Sequence, residues 1–166
     1  FECEVAVVGT HDYEAGLTHR LAIDTSLLDP DDLPPATPIR TSPADAPLTS
    51  AELIEDLRAN ADSDAVHSLL RAKGLRSGMR VPLIVRDNVI GVVALWATDA
   101  NRYDGDDVAM LGTLTRPLAI ALERASALSS LAESELKFRS LVAQAEEMIL
   151  LFDSTTLRIV DANAYT

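Results

Sequence analysis

Apolar and polar residues alternate from the first position. In "FECEVAVV", Phe1, Cys3, Val5 and Val7 share one side and Glu2 and Glu4 take the other, the period of a half-buried strand. "GTHDYEAG" supplies turn residues, and "LTHRLAID" alternates again through Leu17, His19, Leu21 and Ile23. The two segments predict an antiparallel hairpin, and a chain that starts inside a strand looks cut from something longer. From Leu28 to Leu48 the period is lost: this stretch holds six of the eight prolines and four aspartates. Proline fixes φ and removes a donor, so neither a long helix nor a central strand is expected there; a lid or a mobile insertion is. Thr49 and Glu52 then stand in capping-box spacing ahead of Leu53, Ile54 and Leu57, which predicts a short helix. A second helix is predicted over "DAVHSLLRAK", capped by Ser63, with Val66, Leu69 and Leu70 on one face and Gly74 at its end.

The run "RSGMRVPLIVRDNVIGVVALW" reads as two strands around a three-residue loop, Arg86 to Asn88, with Asn88 in the left-handed conformation. That register pairs Val85 with Val89, Leu83 with Gly91, Val81 with Val93 and Arg80 with Ala94. One face is then aliphatic: Val81, Leu83, Val85, Val89, Gly91, Val93 and Leu95, with the glycine placed for close approach of a helix. The other carries Arg80, Pro82, Ile84, Ile90, Val92, Ala94 and Trp96. Next, "NRYDGDDVAML" leads into a long helix whose start Asp106 and Asp107 favour electrostatically. Leu111, Leu114, Leu118, Ala121, Ala125, Leu128 and Ala132 recur at steps of three and four, the spacing of a seam between helices. Pro117 lies within that run and should kink it. A polar helical piece, "SELKFRSLVAQAEE", follows, and "MILLFD" and "LRIVDANAYT" read as two short strands around "STT".

Composition narrows the function. The 166 residues are 48% hydrophobic and 24% charged, as in a soluble globular domain. A net charge of −12 argues against nucleic acid and against anionic membrane surfaces, both of which need clustered Lys and Arg. No apolar run has the length of a membrane span and no signal-peptide pattern opens the chain, so a cytoplasmic location is expected. One cysteine, Cys3, allows no internal disulfide and no all-cysteine metal cluster. No cofactor is evident.

"LLRAKGLRSGMRVPLIVRDNVIGVVALW" followed by "RYDGDDVAMLGTLTRPLAIALERA" resembles the second half of a GAF domain: a helix, a glycine, Arg-Ser, a Val-Pro-Leu strand, a turn, Ile-Gly-Val, an aromatic-Asp segment and an Ala-rich helix. The tail "SELKFRSLVAQAEEMILLFDSTTLRIVDANAYT" resembles the opening of a PAS domain. The resemblance implies an α+β fold, a central antiparallel sheet with helices on both faces. It divides the chain into a GAF-like domain over 1–127 lacking its first helix, a helical linker over 128–146, and an incomplete PAS-like start over 147–166. It also implies a multidomain signalling protein with a histidine kinase or diguanylate cyclase downstream. One sheet face would meet terminal helices that pair in a homodimer; the other would be the floor of a small-molecule pocket.

The pocket candidates on that second face are Arg80, Pro82, Ala94 and Trp96, with Val66, His67 and Leu70 on the roof. An inward Arg80 needs an anionic ligand or a carboxylate; at the sheet edge it would extend to solvent. Trp96 stacks on a planar ligand or packs in the core. His67 reads as a solvated or structurally bonded histidine rather than a metal ligand, and His11 and His19 lack metal-ligand spacing. "NRYDGDD" is loosely similar to the signature of cyclic-nucleotide-binding GAF domains, but it is compressed, and Val108 stands where an acid is expected. A methionine sulfoxide reductase of this family needs a nucleophilic and normally a resolving cysteine, which Cys3 alone does not supply. No glycine-rich nucleotide loop or phosphoacceptor motif is present. The expected function is a non-catalytic sensory module; a ligand-free dimerisation spacer is the alternative.

Overall fold

The computed structural model describes residues 2–27, 29, 31, 35–38, 48–59, 65–145 and 147–163. Phe1, Ser63 and most of the proline-rich segment fall outside them. Contacts divide the chain into two units, Phe1–Glu123 and Arg124–Thr166.

In the first unit β1 (Val5–Asp12) and β2 (Leu17–Thr25) form the expected hairpin, but β1 runs four residues further than the alternation suggested. The turn contracts to Tyr13–Gly16, where the Asp12 side chain accepts the Ala15 amide at 3.0 Å and Gly16 takes a φ of +66°. Cys3 does not share a face with Val5; it packs on the opposite side of the sheet. A three-residue edge strand, β3 (Ala36–Pro38), pairs with Leu17–His19 of β2, a position where a proline leaves no ladder bond of a central strand broken.

The helix expected at Leu53 is instead strand β4 (Glu52–Ile54), paired with Gly78–Arg80. Capping-box spacing is a local preference of about a kcal/mol. Here it loses to the open edge of a buried strand, to burial of Ile54 and to an ion pair between Glu52 and Arg80. Helix α1 (Ala65–Ala72) matches expectation. It ends in a Schellman motif: Gly74 at φ +89°, its amide on the Arg71 carbonyl and the Leu75 amide on the Leu70 carbonyl, both at 3.0 Å.

Strands β5 (Ser77–Val85) and β6 (Asn88–Ala97) pair Leu83 with Gly91, Val81 with Val93 and Arg80 with Ala94, the predicted register. Their loop differs. Arg86 and Asp87 both have positive φ, +47° and +68°, so the turn has two residues, and Asn88 pairs with Val85 inside the ladder. Such a turn matches the twist of the strands. The register is restored by a bulge at Leu83/Ile84, which moves Ile90 to the aliphatic side. Gly91 is approached not by a helix but by β1: a Cβ there would lie 2.2 Å from the Gly9 carbonyl oxygen.

The sheet order is β3-β2-β1-β6-β5-β4, antiparallel throughout. On its aliphatic face Met79, Val81, Leu83, Val93 and Leu95 bury against Leu111 and Ala119 of α2 (Gly105–Ala143). Asp104 caps α2, accepting the amides of Asp106 and Asp107 at 2.9 and 3.1 Å while Asp107 accepts the Asp104 amide. The seam expected on α2 is divided. Leu111 and Leu118 turn toward the sheet, whereas Leu114, Ala121, Ala125 and Leu128 are exposed. Thr115, Ala119 and Leu122 complete the sheet-facing stripe, which follows a period of 3.6 rather than 3.5 residues.

In the second unit the end of α2 meets a hairpin of β7 (Leu150–Phe152) and β8 (Ile159–Ala162), all of whose strand residues are exposed. Asp153 closes its turn by accepting the Thr155 and Thr156 amides at 2.9 and 2.6 Å. Among the described residues no helix is long and apolar enough to cross a membrane.

Candidate functional site

Cα partners across antiparallel strands point to the same side, so the register maps the face opposite α2 row by row. One row is Ile54, Gly78, Trp96, Val5 and Thr25. The next is Glu52, Arg80, Ala94, Val7 and Ile23, and the third is Pro82, Val92, Gly9 and Arg20. His11 and its partner Thr18 continue the sequence. Arg80, Pro82, Ala94 and Trp96 therefore share a face, with Trp96 at one end and His11 toward the other.

The Trp96 end is packed. Gly78 lacks the side chain that would block the indole: a Cβ there would lie 2.2 Å from Cε3 of Trp96. His67, only 6% exposed, meets the same ring edge-to-face, centroids 5.4 Å apart. Leu70 and Leu57 bury beside Val5, Ile54, Leu75 and Ala94, with Val66 packed at the margin. Each fully buried leucine contributes on the order of 2 kcal/mol. Trp96 and His67 form a wall here.

Toward the middle the floor opens. Val7 and Val92 are half-buried and small, while the space over Gly9 is taken by the Thr18 side chain, whose Cγ2 would lie 2.8 Å from a Cβ there. Nη1 of Arg80, its side chain 13% exposed, donates to Oε2 of Glu52 at 2.8 Å; the Glu52 side chain is 38% exposed. At the far side Nδ1 of His11 lies 2.9 Å from the Thr18 hydroxyl, and the ring stands edge-on to Tyr13, whose hydroxyl donates to the Val89 carbonyl at 2.6 Å. Burial lowers the His11 pKa from its ordinary value, and the charge of Arg80 lowers it further, so the imidazole is neutral at pH 7. An arginine, a neutral imidazole and a hydroxyl thus border an apolar floor, a surface suited to an anionic or polar small molecule.

His11, Thr18 and Glu52 were not among the pocket candidates from sequence, where His11 was weighed only as a metal ligand and Glu52 only as part of a helix cap. His11 has the parity of Val5 and Val7, so carrying the β1 alternation four residues further would have found it. Among the described residues no group of three or more His, Cys, Asp or Glu is placed to hold a metal ion. Cys3 lies on the α2 side of the sheet, its thiol pKa raised chiefly by burial.

A six-stranded antiparallel sheet with a short helix over its polar-edged face and a long helix behind it defines an α+β domain. The GAF domain family model matches residues 3–123, and the chain belongs to that family. No curated protein matches the chain. Among solved structures it is similar to a domain assigned to a two-component sensor histidine kinase from Sinorhizobium meliloti 1021, at 18% identity and TM-score 0.60, covering 78% of this chain and 86% of that one. It is also similar to GAF3 of Slr1393 from Synechocystis sp. PCC6803 in its photoproduct state, at 16% identity and TM-score 0.59, covering 78% and 87%. A third is the free methionine-R-sulfoxide reductase of Neisseria meningitidis in complex with its substrate, at 18% identity and TM-score 0.57, covering 74% and 69%. At these identities the likeness is one of fold.

Proposed function

We propose that this chain is a sensory GAF module that binds a small molecule on the Arg80–His11 floor and passes the change along α2. The observation that supports it most is the contrast along one face. The Trp96 end is sealed by α1, while Val7 and Val92 stay half-buried between a largely buried cation and a neutral histidine. A ligand that prefers one arrangement of this face shifts the population of α2 geometries by no more than its difference in affinity between them. In this reading residues 1–127 are the sensor, 128–146 the relay and 147–166 the start of a PAS domain. A homodimer forms through the exposed α2 face, and an output domain such as a histidine kinase or diguanylate cyclase follows in the same polypeptide. Similarity to a domain of a two-component sensor histidine kinase supports the sensory part of this reading.

The second reading, a ligand-free spacer, draws on the tight packing around Trp96. A reductase resembling the Neisseria meningitidis protein is disfavoured because the Cys3 thiol is shifted away from thiolate, on the side of the sheet opposite Arg80. Native mass spectrometry of protein purified from its own host tests the proposal. A dimer mass with a bound small molecule, lost in Arg80→Met, is the expected result. An unliganded dimer would favour the spacer.

A further inference from the structure

We infer that the Glu52 carboxylate is a stand-in for the carboxylate of the ligand, so that the Arg80 subsite takes a small carboxylic acid in its ionised form. This rests on the sensory reading above and narrows it to a ligand class. A guanidinium left 13% exposed in an apolar face is costly, and an apolar side chain of similar volume would serve packing as well or better. A cation at this point of the floor therefore selects an anion, and the planar fork of arginine matches a carboxylate.

Glu52 fills that role in an exchangeable way. It reaches Arg80 through one oxygen, and its side chain is 38% exposed. It also rides on a three-residue strand at the outer edge of the sheet. Ile54, two residues on and 4% exposed, anchors β4 through the same face, so Glu52 can swing outward without the strand leaving β5. Only the Glu52 end of the pair is substantially open to solvent. Beyond Ala94, which is buried in the α1 cluster, the row reaches Val7, and Val92 follows in the next row; these half-buried side chains would lie under the body of a molecule whose carboxylate has taken the place of Glu52. Burial lowers the His11 pKa first and the charge of Arg80 lowers it further; beside that cation an incoming anion is favoured over a neutral group.

The experiment uses acetate as the probe and acetamide as its neutral match, at fixed ionic strength with chloride. Glu52→Ala opens the place of the carboxylate, and Glu52→Gln, which keeps its shape without its charge, is run beside it. Acetate is expected to raise the melting temperature of these variants saturably in the millimolar range and to shift the Arg80 Nε–Hε resonance. Its midpoint in the unaltered protein should be at least fivefold higher, and acetamide should have no such effect. Adding Arg80→Met should abolish the response. Equal responses to acetate and acetamide, or equal responses of variant and unaltered protein, would overturn the inference. A neutral molecule found by native mass spectrometry, with no acetate response, would overturn the ligand class and leave the sensory reading standing.

Discussion

Gly78, Trp96 and His67 form a stack in which each member depends on the next. The glycine lets the indole lie on the strand, and the indole gives the histidine of α1 an edge to pack against. His11, on the same face, is the residue whose protonation the fold resists. Its pKa in the folded chain lies below the ordinary 6.5, so between those two values the unfolded chain binds more protons. Its contribution is therefore fully present above pH 6.5 and is lost as the pH falls below that value toward the folded pKa. The melting temperature should decline more steeply between pH 7 and 5.5 in the unaltered protein than in His11→Gln; parallel declines would show that other groups govern that range. Arg80 and Trp96 could be placed on one face from sequence because a period of two and one correct pair, Leu83 with Gly91, fix every later pair. His11 was missed because Gly9 to Asp12 have turn composition, which hides an alternation that β2 and β6 make real by supplying partners.

At the scale of elements, local signals were reliable where local bonds decide. Gly74 ends α1 and aspartates open α2 as their positions suggested, because caps are satisfied within a few residues. They failed at β4, where a partner more than twenty residues away in sequence supplied the ladder, and at the β5–β6 turn, where strand twist selected the shorter loop. The α2 seam divides for a different reason: steps of three and four describe both a helix lying on a sheet, as Leu111 and Leu118 do, and a helix pair, for which Leu114, Ala121, Ala125 and Leu128 stay exposed. In the second unit Asn163 joins hairpin to helix. Its side chain accepts the Ile149 amide at 2.7 Å and donates to the carbonyls of Val142 and Glu147 at 3.1 and 3.0 Å. At about 1 kcal/mol apiece, loss of these bonds in Asn163→Ala should speed amide exchange in β7 and β8 by roughly tenfold or more and leave the β1–β6 core unchanged. Unchanged exchange in the hairpin would show that its own ladder suffices.

For the whole molecule, the sheet separates two environments: α1 and the polar-edged floor on one side, the aliphatic core and α2 on the other. In the first unit α2 also shows solvent an apolar flank, with Met110 and Leu114 57% and 55% exposed and Ala121 open beside them. If this flank meets a second copy, Leu114→Glu with Ala121→Glu should give a monomer in sedimentation at micromolar concentration. Surface changes of this kind shift the fold's own stability by only about 0.5 kcal/mol. A dimer that persists would move the interface elsewhere. The α+β architecture itself was legible from sequence through the resemblance to a GAF domain, carried by the run from α1 through the β5–β6 hairpin to the start of α2.

Pro117 has a mechanical consequence for the 39-residue helix that contains it. Having no N–H, it leaves the Thr113 carbonyl without its rung, and Thr113 faces solvent, where water is the natural substitute. In the first unit the helix thus has one weakened joint, set between the turns clasped by the sheet at Leu111 and those at Ala119. Within the first unit, bending of α2 is easiest at that joint.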